Sequence, residues 1–476
     1  MKILFATSEC APFFKTGGLG DVAGALPKEL VKKGEEVQVI LPFFKCGMKE
    51  EYKSQLVDEF WDFVQVGWRK AYVGVKSLTK DGVKYYFLDN EQYFGRDELY
   101  GYMDDGERFA FFNLAICQLL EKLDFIPDLI HVNDFHTAMV PFLLKEKFKW
   151  INAYHDIKTV LTIHNIEFQG QMDPNVLSDL FGMGMERFYD GTVRMNDQIN
   201  FLKTGILYAD RVNTVSPSYA AEIQTAEFGK GLDGILRMES GKLSGILNGI
   251  DYDSFDPETD PLIAHHFSSS DLTGKAKSKA DLQHKFGLPV DEKVPLFGIV
   301  SRLTNQKGFD LLLSEFDGIL QNDVQIVLLG TGFPELEAGF KHFAIKYPEK
   351  FAAAVKFDLQ IAQEIYAASD FFLMPSAFEP CGLSQMISMR YGTLPIVHEI
   401  GGLKDTVEPY NPHYGTGTGF GFIDFTGNVL YDTIKRAEKL YWENPAAIAK
   451  MRKQAMNEDF SWESKTQQYI ELYQGI

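Results

Sequence analysis

Short apolar runs alternate with segments of helical character along most of this chain, and no other feature limits its fold as strongly. "KILFAT" (2–7) reads as a strand buried on both faces. After it come a glycine loop, a helical stretch "DVAGALPKELVKKG" closed by Gly34, and a second strand "VQVILP" (37–42). Two strands joined by a crossover helix run parallel, so the pattern predicts a βαβ unit. It recurs at "DLIHVND" (128–134), "TVLTIHN" (159–165) and "DRVNTVS" (210–216). Past "ILNGID" (246–251) the chain turns polar and irregular, through "SSSDLTGKAKSK" (268–279). Alternation restarts at "VPLFGIVS" (294–301) and continues through "VQIVLLG", "AAVKFD", "DFFLMPS" and "TLPIVH". The expected architecture is α/β, with two doubly wound domains and a boundary near residue 245. The segments "LYDTIKRAEKLYW" and "TQQYIELY" near the end read as helices able to cap either domain.

Charge narrows the partners. The 476 residues include 47 basic and 66 acidic ones, a formal net charge of −19. That surplus argues against nucleic acid and anionic membrane, both of which need a basic footprint. Four cysteines, Cys10, Cys46, Cys117 and Cys381, stand far apart without a C-x-x-C pair and read as reduced. "MKILFATSEC" turns polar too early for a signal-peptide core, and no apolar run reaches the roughly 18 residues of a membrane span. A cytoplasmic protein is expected.

Against this acidic background, "FFKTGGLGDVAG" (13–24) sets Lys15 before Gly17, Gly18 and Gly20, and then Asp21. Glycines let the main chain approach a ligand, and a lysine beside them adds a point charge, so the loop suits an anion such as phosphate. Gly18 to Ala23 also satisfy G-x-G-x-x-A. A dinucleotide fingerprint, however, needs its glycines directly after the first strand and an acid at the end of the second. Here Glu9 to Gly17 intervene and the second strand ends in Leu41-Pro42, which disfavours a nicotinamide dehydrogenase. "SRLTNQKGFD" (301–310) places Arg302 and Lys307 between a strand and a helix start, where two cations and a helix dipole form a diphosphate clamp. "SAFEPCGLSQ" (376–385) repeats that setting. Pro380 keeps Glu379 out of helical geometry, leaving its carboxylate for sugar hydroxyls, and the Cys381, Gly382 and Leu383 amides can meet an anion. Cys381 lacks a nearby histidine and reads as a packed side chain. His131, His136 and His164 end strands; the i, i+5 spacing of the first two disfavours a metal pair, and His164 in "TIHN" is the better site candidate.

Taken in order, "KTGGLGDV", "TIHN", "ILNGID", "SRLTNQKG", "FEPCGLSQ" and "YGTLPIV" followed by "GGLKDTV" resemble the bacterial glycogen synthases and plant starch synthases, a family of retaining glycosyltransferases. The resemblance implies a GT-B fold: Rossmann-like domains over residues 1–244 and 245–457 around a deep cleft, and a final helix, 458–476, crossing back to the first. It implies transfer of glucose from ADP-glucose to the non-reducing 4-hydroxyl of an α-1,4-glucan such as glycogen, with retention and without a metal or cofactor. By similarity, Lys15 with the Gly17-Gly18 backbone contacts the nucleotide sugar. Arg302 and Lys307 neutralise the leaving diphosphate, Glu379 holds the donor, and the Cys381 to Leu383 amides lie near its sugar and phosphate. The main-chain carbonyl of His164 faces the developing oxocarbenium, and Asp21, Asp134 and Asn248 line the cleft. Ligand groups on two domains further imply a hinge near residues 245–250 and donor-driven closure.

The chain departs from its relatives twice. Eight residues after Glu379, where many retaining enzymes of this fold carry a second glutamate, stands Ile387, which disfavours a two-carboxylate double displacement. Phe357 stands where a tyrosine is expected to stack near the base. UDP-glucose as donor and a catalytically inactive glucan-binding protein are the competing readings. The second is disfavoured by the presence of Lys15, His164, Arg302, Lys307 and Glu379 together.

Overall fold

The apolar runs of the first half pair side by side and in one direction. In the computed structural model, which describes residues 1–476, β1 (Lys2–Ala6) lies between β2 (Glu36–Pro42) and β6 (Leu129–Asn133). Ile3 stands opposite Val37 on one side and Leu129 on the other. Beyond β6 the parallel sheet continues through β7 (Lys158–Ile163), β11 (Arg211–Thr214) and β12 (Leu243–Gly245). Ile3, Leu4, Phe5, Ile130, Val132, Val160 and Leu161 are fully buried, the composition of a parallel sheet covered on both faces.

At its other edge the sheet changes character, which the doubly wound expectation had left out. β3 (Val57–Val66) and β4 (Arg69–Lys80) run antiparallel, and β5 (Val83–Asp89) joins them to β2. Asp81 and Gly82, at φ 53° and 79°, form the tight turn between β4 and β5, the geometry an Asp-Gly pair favours in a hairpin. A small separate sheet pairs β8 (Gln171–Met172) and β9 (Arg194–Met195) with β10 (Gln198–Asn200).

The second half builds a six-stranded parallel sheet from β13 (Leu296–Val300), β14 (Gln325–Leu329), β15 (Phe351–Ala354), β16 (Phe371–Met374), β17 (Leu394–His398) and β18 (Phe420–Phe422). Its order is β15-β14-β13-β16-β17-β18. Leu296, Val327, Leu329, Ile361 and Ile365 centre one core cluster on it. In each sheet the chain winds outward in both directions from one strand: β2 and β6 flank β1, and β14 and β16 flank β13. Such a reversal of strand order opens a crevice at the carboxyl ends of the strands, where α/β sheets bind ligands.

The chain divides into two compact units, residues 1–248 with 462–476, and residues 249–461. The Trp462–Gln474 helix belongs to the first. There Tyr473 Oη lies 2.7 Å from His131 Nδ1, and Asn213 Nδ2 donates to Tyr469 Oη at 3.4 Å. One expectation fails within the second unit. The stretch read as polar and irregular, 268–279, runs into a helix, Thr273–Lys285, two of whose four lysines, Lys275 and Lys279, point inward. Lys275 Nζ donates to the carbonyls of Ala367 and Tyr391 at 2.9 Å and to Thr393 Oγ1 at 2.7 Å, and Lys279 pairs with buried Asp370 at 2.7 Å. Burial of long cations hides a helix from hydropathy patterning. No helix is long and apolar enough to cross a membrane.

Candidate active site

In the first unit the site grows from the ends of β1, β6 and β7. The chain leaves β1 through Thr7 to Cys10 and enters the Gly18–Lys32 helix, which starts three residues before Asp21, so that the glycines form its cap and first turn. An added Cβ at Gly17 or Gly18 would meet nothing within 4 Å, so open space lies before this helix start. The loop is not the bare cation and backbone that the sequence suggested. Glu9, 4 % exposed, receives hydrogen bonds from the Thr16 amide (2.6 Å), the Gly17 amide (3.1 Å), Thr16 Oγ1 (2.6 Å) and Tyr100 Oη (2.9 Å). Lys15 Nζ lies 2.6 Å from Asp21 Oδ1 in a largely solvated pair. Such a pair contributes little to stability and exchanges readily for a ligand anion.

β6 ends in Asn133 and Asp134, and β7 delivers His164. Asp134 holds φ 53°, a left-handed conformation uncommon outside glycine. Its Oδ1 accepts the His164 amide at 2.7 Å, which fixes the peptide around His164. Asn133 Nδ2 donates to the Ala6 carbonyl at 3.0 Å, so its Oδ1 is the acceptor that faces His164 Nε2 at 2.9 Å, and His164 carries its proton on Nε2. Burial pushes the His164 ring down to about 3, and His131 and His136 likewise, so all three are neutral. Burial raises Asp134 to about 7, against the two amide hydrogen bonds that lower it. His136 packs among Tyr100, Phe109 and Phe135. Asn248, the last residue before the second unit, buries its Oδ1 without a hydrogen-bond partner, an acceptor left for a ligand to fill.

In the second unit the loops after β13 and β16 are locked together. Gly308, at φ 74°, caps the Phe309–Leu320 helix; a Cβ there would lie 1.8 Å from the Pro375 carbonyl oxygen. Ala377 N donates to Gln306 O at 2.9 Å. This brings Lys307 Nζ to 2.6 Å from Glu379 Oε2, which also accepts Ser376 Oγ at 3.0 Å, with the lysine and glutamate side chains 17 % and 7 % exposed. Glu379 is therefore engaged by the neighbouring cation, where the sequence suggested an open carboxylate. Arg302 is exposed and forms no ion pair, which leaves its charge free for an anion. Gly382 takes φ 76°, Gln385 Nε2 holds the Cys381 and Gly382 carbonyls at 3.0 Å each, and Leu383 leads into the Ser384–Arg390 helix. Cys381 is buried, and Gly402 N donates to the Glu379 carbonyl at 3.0 Å. Phe357, 84 % exposed, follows β15 with its ring in solvent.

The candidate residues fall into two groups: Lys15, Gly17, Gly18, Asp21, Asp134, His164 and Asn248 in the first unit, and Arg302, Lys307, Glu379, Cys381, Gly382 and Leu383 in the second. Three further residues complete the first group. Glu9 had a detectable signal, an acid directly after a buried strand; Asn133 had a weaker one in "HVND"; Tyr100, reached from a turn-rich stretch, had none.

Comparison with known proteins bears on both groups. Residues 2–238 match the starch synthase catalytic domain, and residues 294–418 match glycosyl transferases group 1. The chain is 70 % identical to the glycogen synthase of Lactococcus lactis subsp. lactis and 60 % identical to that of Streptococcus mutans, in each case over 100 % of both chains. Among solved structures it is similar to the catalytic domain of starch synthase IV from Arabidopsis thaliana bound to ADP and acarbose, with a TM-score of 0.92 and 33 % identity over 100 % of this chain and 98 % of that one. A sucrose-phosphate synthase from Thermosynechococcus elongatus, at 18 % identity and a TM-score of 0.62, shares the fold.

Proposed function

Because the chain belongs to the glycogen and starch synthase family of GT-B glycosyltransferases, we propose that it transfers glucose from ADP-glucose to the non-reducing 4-hydroxyl of an α-1,4-glucan, with retention and in the cytoplasm. The observation that carries this reading is the set of charges after β13: a largely buried Lys307–Glu379 pair and, in the same loop as Lys307, the exposed Arg302 without an ion pair. The ADP and acarbose held by the Arabidopsis relative support a nucleoside diphosphate leaving group and an α-glucan acceptor.

Breaking the anomeric C–O bond builds negative charge on the diphosphate and positive charge on the sugar. Arg302 and Lys307 stabilise the first, in the role a divalent ion takes in metal-dependent transferases, and fixed cations act more strongly on the transition state than on the ground state. Glu379 orients Lys307 and offers its remaining lone pairs to donor hydroxyls. The Cys381 to Leu383 segment lies beside the donor sugar and phosphate, and Lys15 with Gly17 and Gly18 contacts the nucleotide sugar. The His164 carbonyl meets the oxocarbenium. The neutral imidazole suits that task, because a cation beside a developing cation would raise the barrier. Asp134 acts through His164 by holding its amide, and Asp21 and Asn248 bind the donor.

The test is nucleoside diphosphate release from ADP-glucose and from UDP-glucose, with and without glycogen, by the wild type and by Lys15→Ala. Glycogen-dependent release from ADP-glucose that collapses in the variant is expected. Faster release from UDP-glucose overturns the donor assignment, and no release from either overturns transfer.

A further inference from the structure

β3 and β4 form the part of the first sheet covered on one face only. The Asp105–Leu119 helix packs against β3, and the opposite face of such an antiparallel edge is normally polar. Here it carries Trp61, Phe63 and Tyr72, exposed by 65 %, 51 % and 44 %. Phe63 stands opposite Tyr72 in the register and Trp61 opposite Gly74. Lacking a side chain, Gly74 lets the tyrosine lean across: a Cβ there would lie 2.8 Å from Tyr72 Oη. The indole and phenol rings consequently lie within 25° of parallel, centroids 6.4 Å apart, and Phe63 meets Trp61 edge-on at 5.9 Å.

The surroundings select the occupant. Trp61 Nε1 and Tyr72 Oη make no hydrogen bond to the protein, so each ring offers both a flat apolar face and a polar group. Asp58 is paired with Lys76 at 2.5 Å and Asp62 with Lys122, so the acid left without an ion pair on this face is the half-buried Asp89 opposite Gly74, a lone carboxylate able to accept from a hydroxyl. A strongly charged partner finds no complement here. A second copy of the chain is disfavoured as well. β3 bears a bulge between Asp58 and Phe60 and acidic side chains along its length, both devices that block edge-to-edge pairing, and each copy carries a net charge of −19. What fits is a neutral molecule with C–H faces to stack on the rings and hydroxyls to meet the indole N–H and the phenol.

We propose that Trp61, Phe63 and Tyr72 form a docking platform for an α-1,4-glucan, apart from the residues assigned to transfer. It rests on the reading above only in taking that polymer as the one this chain extends. Four strand spacings, about 19 Å, separate β3 from β1 in the sheet. A chain held there raises the local concentration of acceptor ends without entering the chemistry.

Two measurements test it: retardation of the protein in native gels containing glycogen, and initial rates with glycogen and with maltotriose, for wild type, Trp61→Phe, Trp61→Ala and the triple variant Trp61→Ala/Phe63→Ala/Tyr72→Ala. All three side chains are exposed, and an unchanged melting temperature verifies each variant's fold. The triple variant is expected to bind glycogen about tenfold more weakly and to raise KM for glycogen in proportion, with kcat and the maltotriose KM unchanged. Trp61→Phe is expected to keep most of the affinity. Retardation equal to wild type in the triple variant overturns the platform, as does a wild-type dimer that the substitutions convert to monomer without glucan. If the wild type transfers from no donor yet its gel retardation is lost in the triple variant, the platform stands and the proposed transfer fails.

Discussion

The two units gather their candidate residues at the carboxyl ends of similar sheets and hold them there by opposite means. In the first, side chains fix the loop: Glu9 gathers the Thr16 and Gly17 amides, and Asp134 holds the His164 amide. Ionisation there is suppressed, with three histidines pushed down to about 3 and Asp134 raised to about 7. In the second, backbone packing fixes the loops, Gly308 against Pro375 and Gly402 against Cys381, and charge is kept as a largely buried pair, with an exposed arginine without an ion pair in the same loop as the lysine. One unit presents a neutral, oriented peptide and the other presents cations. The proposed transfer separates charge and would draw on both.

The largest expected effects fall on the cations of the second unit. Arg302→Ala is expected to lower kcat about 100-fold, the loss of about 3 kcal/mol that follows removal of one preorganised donor, with the melting temperature unchanged. Lys307→Ala is expected to lower kcat at least as much and also to destabilise the unit by about 3 kcal/mol, because Glu379 stays buried without its partner. Lys15→Ala, which breaks a largely solvated pair in the first unit, is expected to cost under about 1 kcal/mol of stability whatever it does to turnover. Kinetics beside calorimetry on the three variants separate these outcomes; a Lys307→Ala protein as stable as wild type would contradict the contrast drawn between the units.

Glycines sharpen the same contrast at a smaller scale. Gly308→Ala must place a Cβ against the Pro375 carbonyl from a left-handed backbone, and is expected to destabilise the second unit by at least about 2 kcal/mol. Gly18→Ala meets open space at a helix start, so the first unit is expected to hold within about 0.5 kcal/mol. Denaturant titration of both variants reads the difference. Equal losses would mean that the first loop, too, depends on backbone packing.

The parallel sheets were legible in the sequence because strands covered on both faces must be apolar without alternation, as in "KILFAT" and "VQIVLLG". The antiparallel edge was passed over although Asp81-Gly82 marks its turn, since one exposed face dilutes the apolar signal. The Thr273–Lys285 helix was hidden because two of its lysines, Lys275 and Lys279, turn inward. For the site, glycines and cations in loops after strands stood out. Their partners did not, because Glu9, Tyr100 and Asn133 act through distances that only the folded chain creates.

Protonation provides the last and smallest test, because the buried acids of the two units titrate in opposite senses. Burial raises Asp134 to about 7 over an unfolded value of about 3.9, so between those limits the folded chain holds a proton that the unfolded chain has lost. Its contribution therefore becomes less favourable as pH rises from 4 to 7. Burial alone would raise Asp370 as well, but the Arg452 and Lys279 charges outweigh it and hold the carboxyl below its ordinary range, so its contribution is present above about pH 4 and is lost on acidification below that. Asparagine tolerates the left-handed backbone of Asp134 and can still accept the His164 amide, so Asp134→Asn changes little but the ionisation. Relative to wild type, Asp134→Asn is expected to gain stability with rising pH, by up to about 1.4 kcal/mol per pH unit between 4 and 7. The deficit of Asp370→Asn is expected to be constant above pH 4 and to shrink below it. Chemical denaturation of both variants from pH 3 to 8 checks the signs. A flat difference for Asp134→Asn across that range would mean that its carboxylate is already ionised in the folded protein, and the first unit would then carry charge as the second does.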